Sequence, residues 1–317
     1  MTDPAPFRAD LADGPDGGHA IWLRGTDGVR IRLSLWPEGP KGRILIFTGR
    51  TEYAEKYGQV VAGLARHGYG AMAVDWRGQG LSDRLADNPL LSHIPAFADY
   101  QKDVAAIRAC LHDRGETAPL LLAHSMGGSI ALRAMLDGMP LRAVAFSSPM
   151  WDINFPPWIR PIARGLGCLG RITTGLGQCF TPLANRNSYV LSQRFRGNLL
   201  TGHEPSYERM RRHLRQEPGF GLAGPSLRWL DEALGESRDL ATKPAPDVPV
   251  LCILGTDEKV VDSRVIHDRI GNWPGAQLEL FDKARHEVLM ESDTMRDRAI
   301  ALIAAHFDQA TTSRTYS

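Results

Sequence analysis

The sequence predicts an α/β protein with a mostly parallel central sheet, helices on both faces and an inserted helical cap. Strand patterns alternate with helix patterns over residues 19–149 and again over 241–317, which is typical of a parallel sheet covered on both faces. Between these stretches, residues 150–240 lose that alternation, are rich in Arg, Gly and Pro, and contain recognisable helical pieces only. We therefore predict one α/β core, a cap at 150–240 and a flexible N-terminal tail at 1–18.

The individual elements follow from the apolar patterns. Strands are predicted where short apolar runs end in turn residues, at residues 20–24, 29–36, 43–47, 70–75, 120–122, 143–146, 248–254 and 277–281. Helices are predicted where apolar residues recur with helical spacing, at residues 57–67, 97–114, 157–166, 205–216, 227–234 and 296–307, and from residue 130 onward. This order is that of a parallel sheet interrupted once by the cap.

Composition limits the classes of function. The 37 Lys and Arg residues nearly balance the 36 Asp and Glu residues, so we expect no nucleic-acid partner. No apolar run approaches the ~18 residues of a membrane span, and the N-terminus lacks the features of a secretory signal. The four cysteines lack metal-ligand spacing and are expected to be free thiols. These observations favour a cytoplasmic protein without a metal.

A candidate nucleophile lies in the best-defined motif of the chain. Three leucines of a predicted strand run directly into Ala123-His124-Ser125-Met126-Gly127, and a helical pattern follows at once. A sharp turn between strand and helix exposes a serine hydroxyl, and the small residues at 123 and 127 let the two backbones pass closely. We therefore predict that Ser125 is a catalytic nucleophile; the alternative is an ordinary strand–helix junction.

An activated serine needs a base, and the base needs an orienting acid. The strand at 248–254 runs into Gly255-Thr256-Asp257, which places Asp257 just after a strand end. The last strand runs into a loop that carries His286. Since the order serine, acid, histidine along the chain is that of one class of hydrolases, we predict a triad of Ser125, Asp257 and His286.

Three other residues compete for these roles. Asp262 lies at the start of the next predicted helix, where it is suited to capping that helix. His124 lies within the turn itself and is expected to pack sideways. His306 falls in the apolar stretch of the last helix and is expected to be a packed helix residue.

Backbone N–H groups are expected to bind the oxyanion formed during acyl transfer. One donor is Met126, the residue after the nucleophile, at a helix N-terminus. The second is Arg50, because the loop after the strand at 43–47 contains Gly49, which allows close approach of the backbone. Asp75 and Arg77 follow another strand and are expected to fix loops of the site by hydrogen bonds.

A set of short motifs runs through most of the chain after the first forty or so residues: Gly49-Arg50, Glu52-Tyr53, Lys56-Tyr57, Asp75 with Arg77-Gly78-Gln79-Gly80, Ala123–Gly128, Val260-Val261-Asp262, Gly224-Pro225 with Trp229, and His286-Glu287. With these motifs the sequence resembles the monoacylglycerol-lipase-like branch of the α/β-hydrolases, most closely bacterial lysophospholipases. The resemblance implies a substrate with a single acyl chain, either a lysophospholipid or a monoacylglycerol, and hydrolysis without a cofactor.

The cap bears on the choice of substrate. Residues 151–234 contain eleven arginines, no lysine and six acidic residues, a net charge of +5. Arginine suits phosphate recognition, and a cationic cap could also contact an anionic membrane surface. Arg211 and Arg212 are the candidates for a head-group contact, although most of these arginines are expected to line solvated helix faces.

The start of the cap is unusually apolar. Trp151, Phe155 and Trp158 are candidates for lining an acyl tunnel or touching a lipid interface, and packing on the sheet is an equal alternative. Trp229 is a further substrate-binding candidate.

Two other functions stay open at this point. The same triad would serve a small-ester esterase or an aminopeptidase-like hydrolase. A non-catalytic receptor that uses the pocket of a hydrolase to bind a small ligand is the other alternative, and the intact predicted triad argues against it.

Overall fold

A nine-stranded sheet forms the centre of the protein. The computed structural model describes residues 3–155, 161–162, 165, 170, 173–182 and 184–312. The strands are β1 (Asp3–Ala5), β2 (His19–Arg24), β3 (Arg30–Leu35), β4 (Arg43–Phe47), β5 (Gly70–Asp75), β6 (Leu120–His124), β7 (Ala143–Ser147), β8 (Val250–Gly255) and β9 (Gln277–Phe281).

The strand order is β1-β2-β3-β5-β4-β6-β7-β8-β9. The first four strands in this order form three antiparallel pairs, and every pair from β5 through β4 to β9 is parallel. The carboxyl ends of the parallel strands therefore share one edge of the sheet, where ligands of such sheets bind. The predicted fold class is confirmed.

Helices cover both faces of the sheet. Within β4, Leu45 and Phe47 join one apolar cluster, whereas Ile44 and Ile46 join the other, as alternation along a strand requires. The helices are α1 (Ala9–Ala12), α2 (Gly58–Arg66), α3 (Tyr100–Asp113), α4 (Met126–Leu136), α5 (Thr174–Gly177), α6 (Tyr189–Ser192), α7 (Glu204–Gln216), α8 (Leu227–Ala241), α9 (Ser263–Gly271) and α10 (Asp293–Thr312).

The N-terminal segment differs from the predicted flexible tail. It contains β1, which pairs with β2, and α1, in which Leu11 is 1% exposed. Leu11 belongs to an apolar cluster with Tyr53 and Phe220. Arg8 N–H donates to Glu55 Oε1 at 3.1 Å, and the Arg8 guanidinium pairs with Glu217 at 3.1 Å. Strand pairing, burial and these polar contacts together order the segment. The sequence did not predict this order, because a composition rich in Asp, Pro and Gly is typical of flexible tails.

The segment predicted as a cap carries α5 to α8. The backbone of residues 90–92 is tied to it, because Ala223 N–H donates to Leu90 O at 2.7 Å and Ser226 N–H donates to Ser92 O at 2.9 Å. α8 is longer than the predicted 227–234, and its Trp229 joins the core of the sheet. The helix predicted at 157–166 falls largely outside the described residues.

Cys110, Cys179 and Cys252 are free thiols, and Cys168 lies outside the described residues. Among the helices that the structure describes, none combines the length and apolar character needed to cross a membrane.

Candidate active site

Ser125 lies in a strained turn between β6 and α4. Its φ of 50° and ψ of −120° are rarely adopted by a residue other than glycine. Backbone hydrogen bonds hold the turn, from Ser125 N–H to Ser147 O at 3.1 Å and from Met150 N–H to Ser125 O at 2.8 Å. A Cβ at Gly127 would lie 2.3 Å from Phe47 O, so a glycine is needed where α4 passes β4. The turn thus holds the hydroxyl at the carboxyl edge of the sheet.

His286 lies on the loop after β9, and its Nε2 is 2.9 Å from Ser125 Oγ. The other ring nitrogen, Nδ1, is 2.8 Å from Glu258 Oε2. Since an ionised carboxylate only accepts hydrogen bonds, Nδ1 carries the proton and Nε2 is the acceptor for the serine hydroxyl. The histidine therefore bridges a hydroxyl and a carboxylate, as a general base requires.

The acid beside His286 is Glu258, which corrects the sequence-based choice of Asp257. The Asp257 carboxylate instead lies 2.6 Å from Lys259 Nζ and 3.6 Å from Arg285 Nε, and its side chain is 37% exposed. The Glu258 side chain is 1% exposed. The structure therefore brings together Ser125, His286 and Glu258.

The turn after β8 explains the one-residue difference. Glu258 Oε1 accepts hydrogen bonds from Val260 N–H at 2.6 Å and Val261 N–H at 3.1 Å, which leaves Oε2 free to face His286. Asp257 N–H donates to Ala284 O at 2.9 Å, which fixes the preceding residue. Two adjacent acids at a strand end look alike in sequence, and only the path of this turn distinguishes them.

The charges of this pair stabilise each other. Burial acts to raise the pKa of Glu258, but the charge of His286, together with the hydrogen bonds, outweighs it and lowers that pKa to about 2. Burial acts to lower the pKa of His286, and the Glu258 carboxylate outweighs it and raises that pKa above its ordinary value. The pair thus favours a positive charge on the imidazole, which a base acquires as it takes a proton.

The competing residues have other partners. Asp262 caps α9 and accepts from Arg264 N–H at 3.1 Å. His124 Nδ1 lies 2.9 Å from Ser147 O, and burial lowers the pKa of His124 to about 4, so this ring is neutral near pH 7. His306 is buried on α10.

The loop after β4 is held by side chains. Gly49 N–H donates to the Glu52 carboxylate, and Thr51 N–H donates to Gln79 Oε1 at 2.5 Å. A Cβ at Gly49 would lie 2.9 Å from that carboxylate, so the glycine is needed for the close approach.

Two backbone N–H groups next to the serine stay available. Within the described ranges, the hydrogen bonds of the chain leave the amides of Arg50 and Met126 without an acceptor. Met126 is the first residue of α4, where N–H groups have no partner in the helix. These are the two amides that the sequence predicts as oxyanion donors.

Asp75 supports the site from below. It accepts from Ala54 N–H and Leu81 N–H, each at 2.8 Å. Arg32 pairs with Asp75 at 2.7 Å and with Glu55 at 2.6 Å, and all three side chains are fully buried. The loops after β4 and β5 are thus tied to one buried ion network.

Arg77 has a similar supporting place. It pairs with Asp103 at 2.8 Å and with Asp27 at 2.8 Å. It fixes the loop after β5 against α3 and does not line the cavity described below.

A second buried cluster adjoins the histidine. Lys56 Nζ lies 2.5 Å from Glu52 Oε1 and 2.8 Å from Glu287 Oε2, and Tyr57 OH donates to Glu52 at 2.6 Å. Glu52, His124 and Glu287 have ligand atoms within 4.8 Å of one another, a spacing that could hold a metal ion. Because Lys56 already supplies the positive charge between the two carboxylates, the cluster is complete as an ion network.

A cavity of about 360 Å³ opens above Ser125 and His286, within the size range of small-ligand sites. Its polar floor comes from the loops after β4, β6 and β9. Most of its wall is apolar and comes from the cap, including Ile153, Phe155, Met210, Leu214, Leu222, Trp229 and Leu230. The sequence did not predict Met210 and Leu214 of α7 as substrate contacts, because apolar residues at helical spacing line a cavity and fill a core equally well.

The predicted substrate contacts divide into two groups. Phe155 and Trp229 line the cavity. Trp151 does not: it is 1% exposed and packs against Phe146 and Trp273, which is the packing alternative. Trp158 lies outside the described residues.

The two candidate head-group arginines do not line the cavity, which corrects that expectation. Arg211 donates to Val190 O and Gln193 O, each at 3.0 Å. Arg212 is half exposed and pairs with Asp13 at 3.2 Å. Both therefore tie α7 to neighbouring segments of the chain and not to the cavity.

Comparison with known proteins agrees with this geometry. A family model described as serine aminopeptidase, S33, matches residues 38–293. The chain is 28% identical over 304 residues to lysophospholipase L2 of Escherichia coli strain K12, covering 90% of this chain and 86% of that protein. It is 23% identical over 307 residues to monoglyceride lipase of Saccharomyces cerevisiae, covering 90% and 92%.

Solved structures show the same fold. A soluble variant of the Saccharomyces cerevisiae monoglyceride lipase, solved with a substrate analogue, has a TM-score of 0.71 at 17% identity and covers 97% of this chain and 100% of that one. The monoacylglycerol lipase of Paleococcus ferrophilus has a TM-score of 0.67 at 18% identity, covering 87% and 99%. The chain therefore has the α/β-hydrolase fold and belongs to the serine aminopeptidase S33 family of hydrolases.

Proposed function

We propose that the chain hydrolyses the carboxylic ester of a lipid with a single acyl chain, a lysophospholipid or a monoacylglycerol, through an acyl-enzyme on Ser125. The enzyme is a carboxylic ester hydrolase, like the lysophospholipases and monoacylglycerol lipases to which it is similar. The observation that carries the mechanism is the line from Ser125 Oγ through His286 to Glu258, with distances of 2.9 and 2.8 Å.

The first half of the reaction follows from this line. Ser125 Oγ attacks the ester carbonyl carbon while His286 Nε2 takes the hydroxyl proton, and Glu258 stabilises the resulting imidazolium. The amides of Arg50 and Met126 donate to the oxyanion of the tetrahedral intermediate. The C–O bond to the alcohol breaks, and His286 returns the proton to the leaving alkoxide, which leaves an ester on Ser125.

Water completes the cycle. The oxygen of a water molecule attacks the acyl carbon while His286 takes one of the water protons. The second tetrahedral intermediate then breaks its bond to Ser125 Oγ and releases a free fatty acid. The proton returns to Ser125 Oγ. No cofactor enters this balance, because each proton and electron pair is accounted for by ester, water and side chains.

The wall of the cavity supports a lipid substrate. Its cap side consists mainly of aliphatic and aromatic side chains, and each methylene buried there contributes about 0.8 kcal/mol to binding. The names of the relatives point to the same class of ester.

The family description leaves an aminopeptidase as the second candidate. Such an enzyme needs a free carboxylate to bind the ammonium group of its substrate. The two buried carboxylates that line the cavity, Glu52 and Glu287, are already paired with Lys56. This favours the lipid ester.

Labelling tests the nucleophile. A fluorophosphonate probe is expected to add one phosphonyl group to the wild-type chain and none to Ser125→Ala, measured by intact mass. Ser129→Ala, which changes another buried serine of the same strand–helix unit, is the matched control and should label normally. Labelling of Ser125→Ala, or none in the wild type, would contradict the mechanism.

A substrate panel tests the choice of ester. Lysophosphatidylcholine, a 1-monoacylglycerol, a short p-nitrophenyl ester and an aminoacyl p-nitroanilide are compared by kcat/KM. We expect the lipids to exceed the short ester and the anilide to be inert. Preference for the anilide would establish the aminopeptidase instead.

We also propose that the cap touches a membrane surface. Of the six exposed large apolar residues among those described, four lie at 150–240, namely Ile162, Leu176, Leu191 and Leu199, within a segment of positive net charge. Co-sedimentation with anionic vesicles should weaken in Leu176→Glu and Leu191→Glu. Leu280→Glu, an exposed leucine on β9, is the control; equal loss in all three variants would contradict this contact.

A further inference from the structure

Arg50 carries a guanidinium group that the mechanism above does not use. The residue follows β4 in the loop whose amide is a proposed oxyanion donor, and it lines the cavity. Its Cζ lies 5.0 Å from the centroid of the Trp229 ring, and Trp229 lines the same cavity. One residue thus presents a backbone amide and a cationic side chain to the cavity that Ser125 also lines.

The guanidinium has no anionic partner in the described part of the chain. Its Nη1 is buried without a hydrogen bond, and the residues outside that part contain no Asp or Glu. Glu52 and Glu287, which line the same cavity, are paired with Lys56. The positive charge of Arg50 is therefore uncompensated within the cavity.

Arg50 is partly buried, and the two arginines that are fully or nearly fully buried differ from it. Arg32 pairs with two buried carboxylates, and Arg77 pairs with one that is buried and one that is partly exposed. A buried cation without a partner is destabilising. Burial lowers the pKa of Arg50 to about 10, with the Tyr100 phenol acting to raise it, so the group is still charged near pH 7.

Building on the proposed lipid-ester hydrolysis, we infer that the Arg50 side chain binds the phosphate of a lysophospholipid head group and so selects lysophospholipids over monoacylglycerols. The planar fork of a guanidinium matches two phosphate oxygens at once. The aromatic face of Trp229 holds the group by a cation–π contact and leaves its edge available.

The position fits the chemistry of the substrate. In a lysophospholipid the phosphate is attached to the same glycerol whose ester is cleaved, only a few bonds from the reacting carbonyl. The Arg50 amide is the proposed donor to the oxygen of that carbonyl. The side chain of the same residue therefore starts from a backbone position next to the reacting ester. A monoacylglycerol offers a neutral hydroxyl there and leaves the guanidinium unpaired.

This inference replaces the head-group role predicted for Arg211 and Arg212. Both of those side chains have protein partners and lie away from the cavity. Arg50 lines the cavity, its Nη1 is buried without a hydrogen bond, and no carboxylate pairs with it among the described residues.

The test is a ratio of specificities. Lysophosphatidylcholine and 1-monoacylglycerol of the same short acyl chain are hydrolysed as monomers, and the ratio of their kcat/KM values is compared between variants. In Arg50→Met we expect this ratio to fall about 10- to 100-fold, the loss typical of a charged hydrogen bond. Arg50→Lys keeps the positive charge but loses the planar guanidinium, so in this variant the ratio should fall less.

Arg212→Met is the matched control, because it removes the same charge outside the cavity; its ratio should equal that of the wild type. Retained fluorophosphonate labelling shows that the Arg50 variants are folded with an intact serine. If Arg50→Met fails to fold, Arg50→Lys carries the test with an expected fall of at least threefold. A ratio unchanged within twofold would overturn the inference.

Two further results separate this inference from its alternatives. If the wild type labels but hydrolyses neither lipid, the proposed function fails and this inference fails with it. The carboxylate of the fatty-acid product is a second oxyanion that Arg50 could bind. If Arg50→Met relieves inhibition by the fatty acid and leaves both inhibition by glycerophosphocholine and the specificity ratio unchanged, the anion is that carboxylate and the phosphate role is overturned.

Discussion

The strand-end loops below the cavity and the cap above it are stabilised in different ways. Below, fully or nearly fully buried ion networks fix the backbone, with Arg32 on Asp75 and Lys56 between Glu52 and Glu287. Above, arginines such as Arg212 pair at the surface, and large apolar side chains stay exposed. The floor therefore holds reacting atoms in place, whereas the cap supplies shape. We expect changes in the floor to abolish catalysis or folding and changes in the cap to alter selection.

The largest effect is expected at the serine. Ser125→Ala removes the nucleophile and should lower kcat by about 10⁶-fold, as in other serine hydrolases. Steady-state hydrolysis of lysophosphatidylcholine measures it. A loss of kcat below a hundredfold would mean that Ser125 is not the nucleophile.

The acid is expected to be next. Glu258→Gln should lower kcat by about 10⁴-fold, because the neutral amide no longer stabilises the imidazolium. Its neighbour provides the control: Asp257→Asn, which changes a partly exposed carboxylate paired with Lys259, should stay within a few-fold of the wild type. The reverse result would restore Asp257 as the acid.

The same variant predicts a change with pH. Glu258 raises the pKa of His286, while burial acts to lower it. Removing the Glu258 charge leaves burial opposed only by the charges of Glu287 and Glu52, so the His286 pKa falls and the neutral base persists to lower pH. The acidic limb of the kcat/KM profile should therefore move to lower pH in Glu258→Gln and stay in place in Asp257→Asn.

The ion network under the floor should affect stability. Arg32→Met leaves the buried carboxylates of Glu55 and Asp75 uncompensated and should lower the free energy of unfolding by about 3–5 kcal/mol. Arg30→Met, also on β3, removes a partly exposed pair with Asp83 and should cost less than about 1 kcal/mol. Denaturant unfolding compares the two, and equal losses would mean that burial of the network contributes nothing.

In the cap, effects should be small and depend on the substrate. Leu230→Phe fills part of the cavity and should reduce kcat/KM for long acyl chains more than for short ones, by about fourfold for each methylene excluded. The control is Leu234→Phe, the same change one turn further along α8 at a residue that does not line the cavity; it should not alter the preference for chain length. An equal loss of kcat/KM for all acyl-chain lengths would mean that the cap does not determine the preference for chain length.

The smallest effect is expected at Arg211 and Arg212 of α7. Arg211→Glu and Arg212→Glu should change the ratio of lysophospholipid to monoacylglycerol hydrolysis by less than about threefold, because neither side chain lines the cavity. A selective loss of lysophospholipid activity would return the head-group role to these two arginines.

What the sequence predicts well has short-range causes. The strands of the parallel sheet and the turn at Ser125 follow from local apolar runs and small residues, and the sheet is confirmed. The loop with His286 follows from its place after the last strand. These features need no knowledge of distant contacts.

The rest depends on contacts that a local pattern does not contain. Glu258 rather than Asp257 faces His286 because two amides after it hold its carboxylate. The order of the N-terminal segment depends on distant partners, since Leu11 joins a cluster with Phe220 and Arg8 pairs with Glu217. Arg50 differs from the other arginines only through what surrounds it.

Lys56 has a mechanical consequence. Its two partners belong to different loops, since Glu52 follows β4 near the oxyanion amides and Glu287 follows His286 directly. One ammonium group therefore cross-links the loop that would receive the developing charge to the loop that carries the base. The two halves of the reaction centre are coupled before any ester arrives, so substrate binding need not supply the free energy to align them.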